Sequence, residues 1–533
     1  MDLYRKYLLF IIAIGILIFF FNLGGRDLWE PDETRYAVVA REMRETGKWI
    51  LPHLNREIYA EKPPLFFWII NLSNFFFGQN NEFTNRFPSA LAGFTTMLIT
   101  FLFGTKLFNL RTGFFSSLVL STSFFFPQIS RWMMLDSLFT LFFLLSLFSF
   151  YLGYKREERR RGYYIISGFF MGLATLTKGP IAYLTIPIFL IYAFSQMNLK
   201  RFWCNDLLWG TILSILIILI WFIPACIIGG NEYLQWILLK QATGRFFEGG
   251  VHFHPQPFYF YLIRFPLEFF PWIIFLPSAF IFGLRKGEKK EELLFLSIWF
   301  IFLFLFFSLS KGKKDNYLLP IYPAGALMVG FLWDLGIRSF GERKIFIISL
   351  ILLTSIFLIG SFIFLSEIPI RFLNPLFKEF ESLGSFIFSY LLIGSIASVF
   401  LFIKGNRLAS FLSLIIVFSF LHLHISYSIP PRLNEKRSMK RFAEGILKRM
   451  ESGDELKTIF SKYNGLLYYT KMLYIEEIGN RDRLIEVLDS PKRVFIVFQA
   501  QVYEEFRKSL NTKMIPLEKT KVGRWNLVLV SNR

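Results

Sequence analysis

The segment from Pro64 to Gly78, PLFFWIINLSNFFFG, decides the topology of this chain. It is apolar, but its length of about 15 residues falls short of the roughly 20 that a transmembrane helix needs, and it contains Asn71 and Asn74. If it crossed the membrane, the basic connection Lys155–Arg161 would lie outside, against the tendency of Lys and Arg to stay on the cytoplasmic side. We therefore predict an interfacial or re-entrant helix here.

The overall composition is that of a membrane protein. Of 533 residues, 54% are hydrophobic and only 18% are charged, whereas a water-soluble chain of this size keeps a polar exterior. With the segment from Pro64 to Gly78 left out, the pattern predicts a polytopic α-helical membrane protein with about thirteen transmembrane helices. The predicted spans are about 7–23, 88–105, 113–129, 133–153, 163–177, 179–195, 207–226, 267–284, 292–309, 317–334, 344–365, 384–404 and 407–428.

The charge pattern supports this count. Much of the net charge of +20 lies in short basic connections, and with the N-terminus inside all of these fall on the cytoplasmic side. No nucleic-acid-binding motif accompanies the charge, so we expect no nucleic-acid partner. The first span follows Arg5 and Lys6 without a convincing cleavage site, which predicts a retained signal anchor. The basic connections are Lys106–Arg111, Lys155–Arg161, Lys200–Arg201, Arg285–Lys290, Arg338–Lys344 and Lys404–Arg407.

This topology leaves polar loops and the C-terminal tail on the non-cytoplasmic side. We predict a transmembrane domain over 1–432 and a small soluble α/β domain over 433–533, with Pro430 and Pro431 as a hinge. The predicted outer loops are 24–87, 229–266 and 310–317. The predicted helices of the tail lie near 436–450, 481–488 and 502–510, and its strands near 458–460, 493–498 and 525–530.

The first outer loop concentrates ionisable residues beside the membrane, in LWEPDETRY (28–36) and YAEKPP (59–64). Asp32 and Glu33 are the candidate catalytic carboxylates, because a carboxylate there would deprotonate an acceptor hydroxyl or orient a sugar. Structural alternatives stay open for both residues. Asp32 follows Pro31 and would cap the start of a helix, and Glu33 would be a solvated loop charge.

Cations also gather on the outer side, against the usual bias. Two prolines fix the backbone after Lys62, although snorkelling at the membrane surface is the alternative role for this side chain. Such an excess of cations predicts a phosphate-rich ligand, whose developing charge they would stabilise during group transfer. If the acceptor is itself a phosphate, it needs no base, and Asp32 would position substrate instead. The other outer cations and hydroxyls include Lys178, Arg245, Arg264, Lys313 and Tyr317.

Metal binding has only weak support in the sequence. His252 and His254 would bind a divalent metal together with Glu61, but their spacing is not that of an established site. The two cysteines, Cys204 and Cys226, show neither a disulfide framework nor zinc-type spacing. We expect that no cofactor is required, with a divalent metal as the alternative.

These motifs together resemble a known family. WEPDETRY (29–36), REM (41–43), GKWILPH (47–53) and EKPP (61–64) are similar to the signature of the polyprenyl-phosphate-sugar-dependent membrane glycosyltransferases of the GT-C class. Within that class they resemble the lipid A aminoarabinose transferases and their relatives, a branch of the protein O-mannosyltransferase superfamily. LTKGP (176–180) and YLLP (317–320) are secondary matches.

The resemblance implies a GT-C fold and an inverting transferase of the inner membrane whose active site and C-terminal domain face the periplasm. Its donor would be an undecaprenyl-phosphate-linked sugar, and its acceptor lipid A or another glycan or protein. It implies that Asp32 lies at the reaction centre and that no metal is strictly needed. The residues implied to bind the donor phosphate are Arg35, Lys62, Arg245 or Arg264, Tyr59 and Tyr317, with Glu61 lining the pocket.

The donor sugar and the reaction class leave alternatives. The third outer loop, Lys311–Tyr317, is basic and would repel a cationic sugar such as aminoarabinose, which leads to the hypothesis of a hexose or galacturonate donor. Sugar transfer to a protein hydroxyl is the alternative enzyme. A transporter or flippase is the alternative of another class, although transporters bury ionisable residues at the membrane midplane and these spans are nearly free of charge.

Overall fold

The computed structural model describes residues 2–156, 160–197, 205–235, 237, 255–285, 289–338, 343–365, 374–509 and 514–533. The chain divides into two compact units, each described here by itself. The helical unit comprises Met1–Phe21, Ser89–Ile223 and Asn231–Ile425. The mixed unit comprises Asn22–Pro88, Pro224–Gly230 and Ser426–Arg533, so it joins the whole of the first predicted outer loop to the C-terminal tail.

The described part of the chain is mainly helical. In chain order the α-helices are α1 Asp2–Phe20, α2 Asp32–Thr46, α3 Leu65–Phe76, α4 Glu82–Leu107, α5 Leu110–Thr122, α6 Phe125–Ser130, α7 Leu135–Lys155, α8 Arg160–Lys178, α9 Thr185–Ser195, α10 Asn205–Gln235, α11 Phe260–Glu268, α12 Leu276–Arg285, α13 Lys290–Leu309, α14 Tyr322–Arg338, α15 Arg343–Leu365, α16 Asn374–Ile403, α17 Arg407–Arg437, α18 Lys440–Leu447, α19 Asn464–Thr470, α20 Arg481–Leu488 and α21 Ala500–Ser509. Short 3₁₀ helices cover Pro180–Leu184, Trp272–Ile274 and Asp315–Ile321.

The prediction of a polytopic α-helical membrane protein is confirmed. Among the described residues, nine helices are long and apolar enough to cross a membrane, and the pair Phe260–Glu268 and Trp272–Ile281, bent by 115°, would add one more. Three predicted spans remain. The span predicted at 163–177 lies in the uninterrupted helix α8, Arg160–Lys178, which is not among these nine helices, and the other two are interrupted. The span predicted at 113–129 divides into α5 and α6, and the span predicted at 179–195 starts with a 3₁₀ helix before α9.

Small residues let the helices of the helical unit approach closely. Gly330 of α14 lies so close to α5 that a Cβ there would come within 2.2 Å of the Ser116 hydroxyl. Such contacts between small residues are the usual way in which helices associate in a membrane, where burial of apolar surface gives little driving force. The large fully buried side chains around them include Trp272, Trp299 and Trp333.

Helix α3 accounts for the short apolar segment on which the topology depends. It is 12 residues long, and its amides are turned inward: Asn71 donates to the Ala40 carbonyl at 2.7 Å and Asn74 to Asn85 Oδ1 at 3.1 Å. Phe75 and Phe76 are 83% and 79% exposed. A surface helix of a water-soluble protein buries its apolar face and exposes its polar face. Helix α3 instead buries its amides and exposes aromatic side chains, which agrees with the predicted interfacial helix.

The tail contains the predicted small α/β fold. Its five-stranded sheet has the order β4–β3–β5–β7–β6, with β3 parallel to β4 and β5, and β7 antiparallel to β5 and β6. The hairpin β1–β2 lies in the first loop. The strands are β1 His53–Leu54, β2 Glu57–Ile58, β3 Glu455–Ile459, β4 Glu476–Ile478, β5 Val494–Gln499, β6 Ile515–Val522 and β7 Trp525–Ser531.

The tail also corrects two predictions. The prediction of a hinge at Pro430 and Pro431 is wrong in one respect. The helix does not break there, because both prolines lie inside α17. The helix predicted near 436–450 is shorter, since α17 ends at Arg437 and α18 covers only Lys440–Leu447. Strands β4 and β6 and helix α19 were not predicted.

Candidate active site

The signature motif of the first loop folds as the start of α2. Asp32 and Glu33 lie in the first turn, where carboxylates interact favourably with the positive end of the helix dipole. The helix ends at Gly47, which adopts a left-handed conformation with φ 70°, as glycine does at many helix ends. Pro31, rather than Asp32, occupies the capping position, so the capping role left open for Asp32 is not observed.

Arg35 joins Asp32 to Glu61. Its Nη2 donates to Asp32 Oδ1, one helical turn away, and its Nη1 donates to Glu61 Oε2 at 3.1 Å. The Tyr59 hydroxyl lies 3.3 Å from the same Glu61 oxygen. The planar guanidinium suits this geometry, because its donors point in fixed directions toward two acceptors. The structure thus brings four predicted site residues together, and we call Asp32, Arg35, Tyr59 and Glu61 the signature cluster.

The electrostatics of the signature cluster keep Tyr59 neutral and Arg35 charged. Burial raises the pKa of the Tyr59 phenol well above its usual value, and the carboxylates of Glu61 and Asp32 add to this effect over the opposing influence of Arg35. Burial lowers the pKa of Arg35, but its tyrosine and carboxylate neighbours outweigh burial and raise it overall. The cluster therefore offers a hydroxyl donor and a permanent cation beside carboxylates that remain hydrogen-bond acceptors.

Lys62 adjoins the cluster in sequence. It follows Glu61 in the turn before α3, and its side chain is half-buried. Pro63 and Pro64 come next, and Pro64 caps α3. The predicted role of Lys62 in binding phosphate stays a prediction.

Glu33 has a different environment from Asp32. Arg26 Nη1 lies 2.7 Å from Glu33 Oε2, and Arg86 Nε lies 2.8 Å from Glu33 Oε1. Glu33 is 1% exposed. Burial alone would raise its pKa, but the two arginines hold the pKa down at about 2. This geometry favours a structural ion triad over the predicted catalytic role, and neither arginine partner was predicted from the sequence.

Lys178 and Tyr317 belong to a second cluster, within the helical unit. Lys178, at the end of α8, forms a salt bridge with Asp136 at the start of α7, and these side chains are only 6% and 4% exposed. Asn316 donates to the other Asp136 oxygen at 2.7 Å. The Lys178 ammonium lies 4.8 Å from the Tyr317 ring centroid. Asp136 was missed by the sequence analysis, although an isolated carboxylate in an apolar span is an available signal.

Two further predicted cations of the helical unit that the structure describes, Arg264 and Lys313, have partners within the protein. Arg264 pairs with Asp315 through Nη2 and lies 3.7 Å from Glu268. Lys313 is 3% exposed and donates to the carbonyls of Gln256, at 2.9 Å, and of Ser310. The geometry favours a structural role for Lys313 over the predicted phosphate binding. It also removes one cation from the argument that the third loop repels a cationic sugar.

Three predicted residues, Arg245, His252 and His254, lie outside the described residues. Glu61, their predicted partner in metal binding, is held by Arg35 and Tyr59. Over the described ranges, no three His, Cys, Asp or Glu side chains are grouped as a metal site would need. The weak metal alternative therefore stays a prediction.

Comparison of the sequence with known proteins identifies a matching family model and several similar proteins. Residues 61–228 match the family model of dolichyl-phosphate-mannose-protein mannosyltransferases. The chain is 33% identical over 326 residues to the undecaprenyl phosphate-alpha-4-amino-4-deoxy-L-arabinose arabinosyl transferase of Edwardsiella ictaluri, covering 60% of this chain and 58% of that protein. It is 30% identical over 391 residues to an uncharacterized protein of Aquifex aeolicus, covering 72% of this chain and 76% of that protein.

A solved structure shows the fold. The crystal structure of ArnT from Cupriavidus metallidurans bound to undecaprenyl phosphate aligns with a TM-score of 0.80 at 20% identity, over 99% of this chain and 98% of that chain. The predicted GT-C fold with a small C-terminal domain is thereby confirmed. The sequence match spans 58% of the length of the arabinosyl transferase.

Fold and sequence together define a multi-pass membrane protein of the GT-C class. The chain belongs to one family with the Aquifex aeolicus protein. In sequence it is also similar to the aminoarabinose transferases and, over residues 61–228, to the dolichyl-phosphate-mannose-protein mannosyltransferases.

Proposed function

We propose that this protein is an inverting glycosyltransferase that moves a sugar from an undecaprenyl-phosphate-linked donor to lipid A at the periplasmic face of the inner membrane. The observation that carries the proposal is the signature cluster, in which Arg35 connects the carboxylates of Asp32 and Glu61. Sequence similarity supports it, because the arabinosyl transferase relatives are named for transfer from such a donor.

The proposed chemistry is a single displacement at the anomeric carbon. An acceptor oxygen attacks that carbon, the bond between the carbon and the donor phosphate oxygen breaks, and undecaprenyl phosphate leaves with the electron pair. Attack from the face opposite the leaving group inverts the anomeric configuration. A cation and a hydroxyl placed at the phosphate, such as Arg35 and Tyr59, would stabilise the charge of the leaving group.

The role of Asp32 depends on the acceptor. If the acceptor is a hydroxyl, it loses a proton on attack, and the Asp32 carboxylate is the proposed base. If the acceptor is a phosphate of lipid A, it is already an anion, and Asp32 orients substrate without taking a proton. In both cases Arg35 fixes the Asp32 carboxylate by hydrogen bonding to Oδ1.

The proposed orientation follows the basic connections. The N-terminus lies in the cytoplasm, and the signature cluster and the C-terminal domain lie in the periplasm, since the short basic connections then all face the cytoplasm. The exposed Phe75 and Phe76 of α3 would contact the outer leaflet of the bilayer.

The proposal includes aminoarabinose, galacturonate and hexoses as candidate donor sugars. The hypothesis of a hexose or galacturonate depended on a basic third loop, and Lys313 of that loop is bound to backbone carbonyls. The argument against a cationic sugar is therefore weaker. For this reason aminoarabinose, the sugar named for the arabinosyl transferase relatives, is tested together with the neutral and acidic donors.

Transfer to a protein hydroxyl is the second candidate function. The observation that favours it is the match of residues 61–228 to the protein mannosyltransferase family. This candidate requires a base, so Asp32→Asn would abolish transfer.

The test uses the purified full-length protein. It is incubated with undecaprenyl-phosphate-linked aminoarabinose, galacturonate or hexose and with lipid A, and the products are measured by mass spectrometry. We expect one donor to add its sugar mass to lipid A and to release undecaprenyl phosphate, with Arg35→Ala inactive and Arg44→Ala, exposed on the same helix, active. Sugar on a peptide acceptor but none on lipid A would favour the second candidate, and no transfer from any donor would overturn the proposal.

A further inference from the structure

Helix α19 of the tail is held at its C-terminal end by a side chain of the signature helix α2. Arg41 of α2 donates to the carbonyls of Leu467 at 3.1 Å, Tyr468 at 3.2 Å and Met472 at 2.6 Å. The last carbonyls of a helix have no partner within it, and a cation near them also interacts favourably with the helix dipole. Arg41 is 4% exposed, so this contact lies in the interior of the mixed unit.

The other end of α19 is held by Glu30, also from the signature motif. The Gly465 N–H, at the start of α19, donates to Glu30 Oε1. The Glu30 side chain thus accepts a hydrogen bond from the first turn of α19, while Arg41 donates to carbonyls at the other end of the helix. Residues from the two sides of Asp32 in the sequence therefore hold opposite ends of the same short helix.

Further hydrogen bonds join the first loop to the tail. Asn55 Nδ2 donates to the Ile475 carbonyl and the Ile475 N–H donates to Asn55 Oδ1, both at 2.9 Å. The Leu28 N–H donates to the Tyr469 hydroxyl at 2.7 Å. Each of these bonds links the first loop to residues more than 400 positions later in the chain. The first loop therefore depends on the tail for several of its buried polar partners.

The contact of Arg41 with α19 restrains the orientation of α2 and leaves free the side of the helix that carries Asp32. At 3.6 residues per turn, Arg41 projects from the side of α2 roughly opposite to Asp32, about 13 Å further along the helix axis. Fixing one side of a helix leaves the other side open to substrate while limiting its rotation. Small displacements of a reacting group cost up to about a hundredfold in rate.

We propose that the C-terminal domain is a positioning element for the signature helix, and that Arg41 and Glu30 are its positioning residues. Through these two residues α19 fixes the rotation of α2 about its axis. This rotation in turn sets the positions of Asp32 and Arg35. The inference rests on the proposed function, because placement of the signature cluster affects turnover only if the cluster carries the reaction. It assigns to the tail a role in catalytic geometry, distinct from a role in recognising the acceptor.

The experiment compares Arg41→Ala and Arg41→Lys with the wild type in the purified full-length protein. The matched control is Arg44→Ala, since Arg44 lies on the same helix and is exposed. The first readout is hydrogen–deuterium exchange. We expect Arg41→Ala to accelerate exchange of the amides of α2 at least tenfold, with β5 and β7 of the tail remaining as protected as in the wild type.

The second readout is steady-state kinetics with the active donor and acceptor. We expect kcat to fall ten- to a hundredfold in Arg41→Ala with the KM for acceptor changed less than threefold, partial recovery in Arg41→Lys, and no change in Arg44→Ala. Lysine keeps the charge but loses the planar fork that reaches several carbonyls. A rise in acceptor KM at constant kcat would overturn the inference in favour of acceptor binding by the tail.

The two readouts separate failure of the inference from failure of the proposed function. Unchanged exchange in α2 overturns the positioning role whatever the activity. If exchange in α2 is faster in Arg41→Ala but the wild type transfers no sugar, the positioning role of the tail is supported and the proposed function is refuted. If Arg41→Ala does not fold, Asn55→Ala, which removes the reciprocal pair with Ile475, gives the same comparison: exchange in α2 rises if the inference is correct and stays unchanged if it is wrong.

Discussion

Arg35 donates to Glu61 at 3.1 Å while its other terminal nitrogen donates to Asp32. One guanidinium thus sets the positions of two carboxylates that lie 29 positions apart in the sequence. Replacing Arg35 by lysine keeps the charge but removes the planar fork.

We therefore expect Arg35→Lys to retain little more activity than Arg35→Ala. Both variants should lose about a hundredfold or more in kcat/KM, the loss typical of removing a positioned donor at a developing charge. The measurement is steady-state transfer by purified protein. Arg35→Lys with activity near that of the wild type would show that only a positive charge is needed here.

The Asp32→Asn variant distinguishes the two acceptor chemistries. If the acceptor is a hydroxyl, loss of the base should lower kcat by about a hundredfold to ten-thousandfold. If the acceptor is a phosphate, appreciable activity should remain, since no proton is removed. The measurement is kcat with each acceptor, and Glu486→Gln, at an exposed carboxylate of the tail, is the control that should behave as wild type.

Glu33→Gln should destabilise the protein rather than impair chemistry directly. It leaves Arg26 and Arg86 buried without their anion, and removing one partner of a buried ion pair costs about 3–5 kcal/mol. Because the pKa of Glu33 is lowered to about 2, its contribution to stability is present above pH 4.5 and is lost as the pH falls toward 2. The difference between the thermal unfolding midpoints of the wild type and Glu33→Gln should become smaller in this acidic range. Equal midpoints at neutral pH would show that the ion triad does not stabilise the protein.

Glu30 should give the opposite pH dependence. Burial raises its pKa to about 7, although the Gly465 N–H, Thr34, Asn464 and the charge of Arg35 all favour the ionised form, and the phenol of Tyr463 also faces it. A raised pKa means that its contribution to stability is greatest below pH 4.5 and declines as the pH rises to about 7.

The check on Glu30 is a comparison of thermal unfolding between the wild type and Glu30→Gln from pH 5 to 8. The wild type should lose stability relative to the variant up to about pH 7, and the difference should then stay constant. A difference independent of pH over this range would show that Glu30 does not titrate there.

Lys178 and Asp136 should behave as a coupled pair. Each single variant, Lys178→Met or Asp136→Asn, leaves the other charge almost fully buried, so each should be markedly destabilised. The double variant should lose less than the sum of the two, because no buried charge is left unpaired. Thermal unfolding of the wild type, the two single variants and the double variant gives the coupling free energy of the pair. Strictly additive losses of stability would show that Lys178 and Asp136 are not coupled.

Composition and local pattern were sufficient for much of the fold. The long apolar helices, the short α3 and the buried strand β5 each show their structure in a continuous stretch of sequence, because each is a run of mainly apolar residues whose length matches its element. Strand β6 was missed since its sequence, IPLEKTKV, is that of an exposed edge strand with few buried positions. Helix α19 has only seven residues, too few for a helical period.

The candidate site was predictable where its residues share one motif. Asp32 and Arg35 lie one helical turn apart, and Glu61 follows in the same loop. The role of Glu33 was not predictable, because its partner Arg86 is 53 positions away and ion pairing depends on the folded chain. The same is true of Glu30, whose partner Gly465 is 435 positions away.

The proposed transfer of a sugar to lipid A is tested by mass spectrometry of lipid A from a deletion strain and its complemented controls. We expect loss of one sugar mass on deletion, its return with the wild-type chain and with Arg44→Ala, and no return with Arg35→Ala expressed at the same level. Lipid A of identical mass in the parent and deletion strains would show that this protein does not transfer a sugar to lipid A.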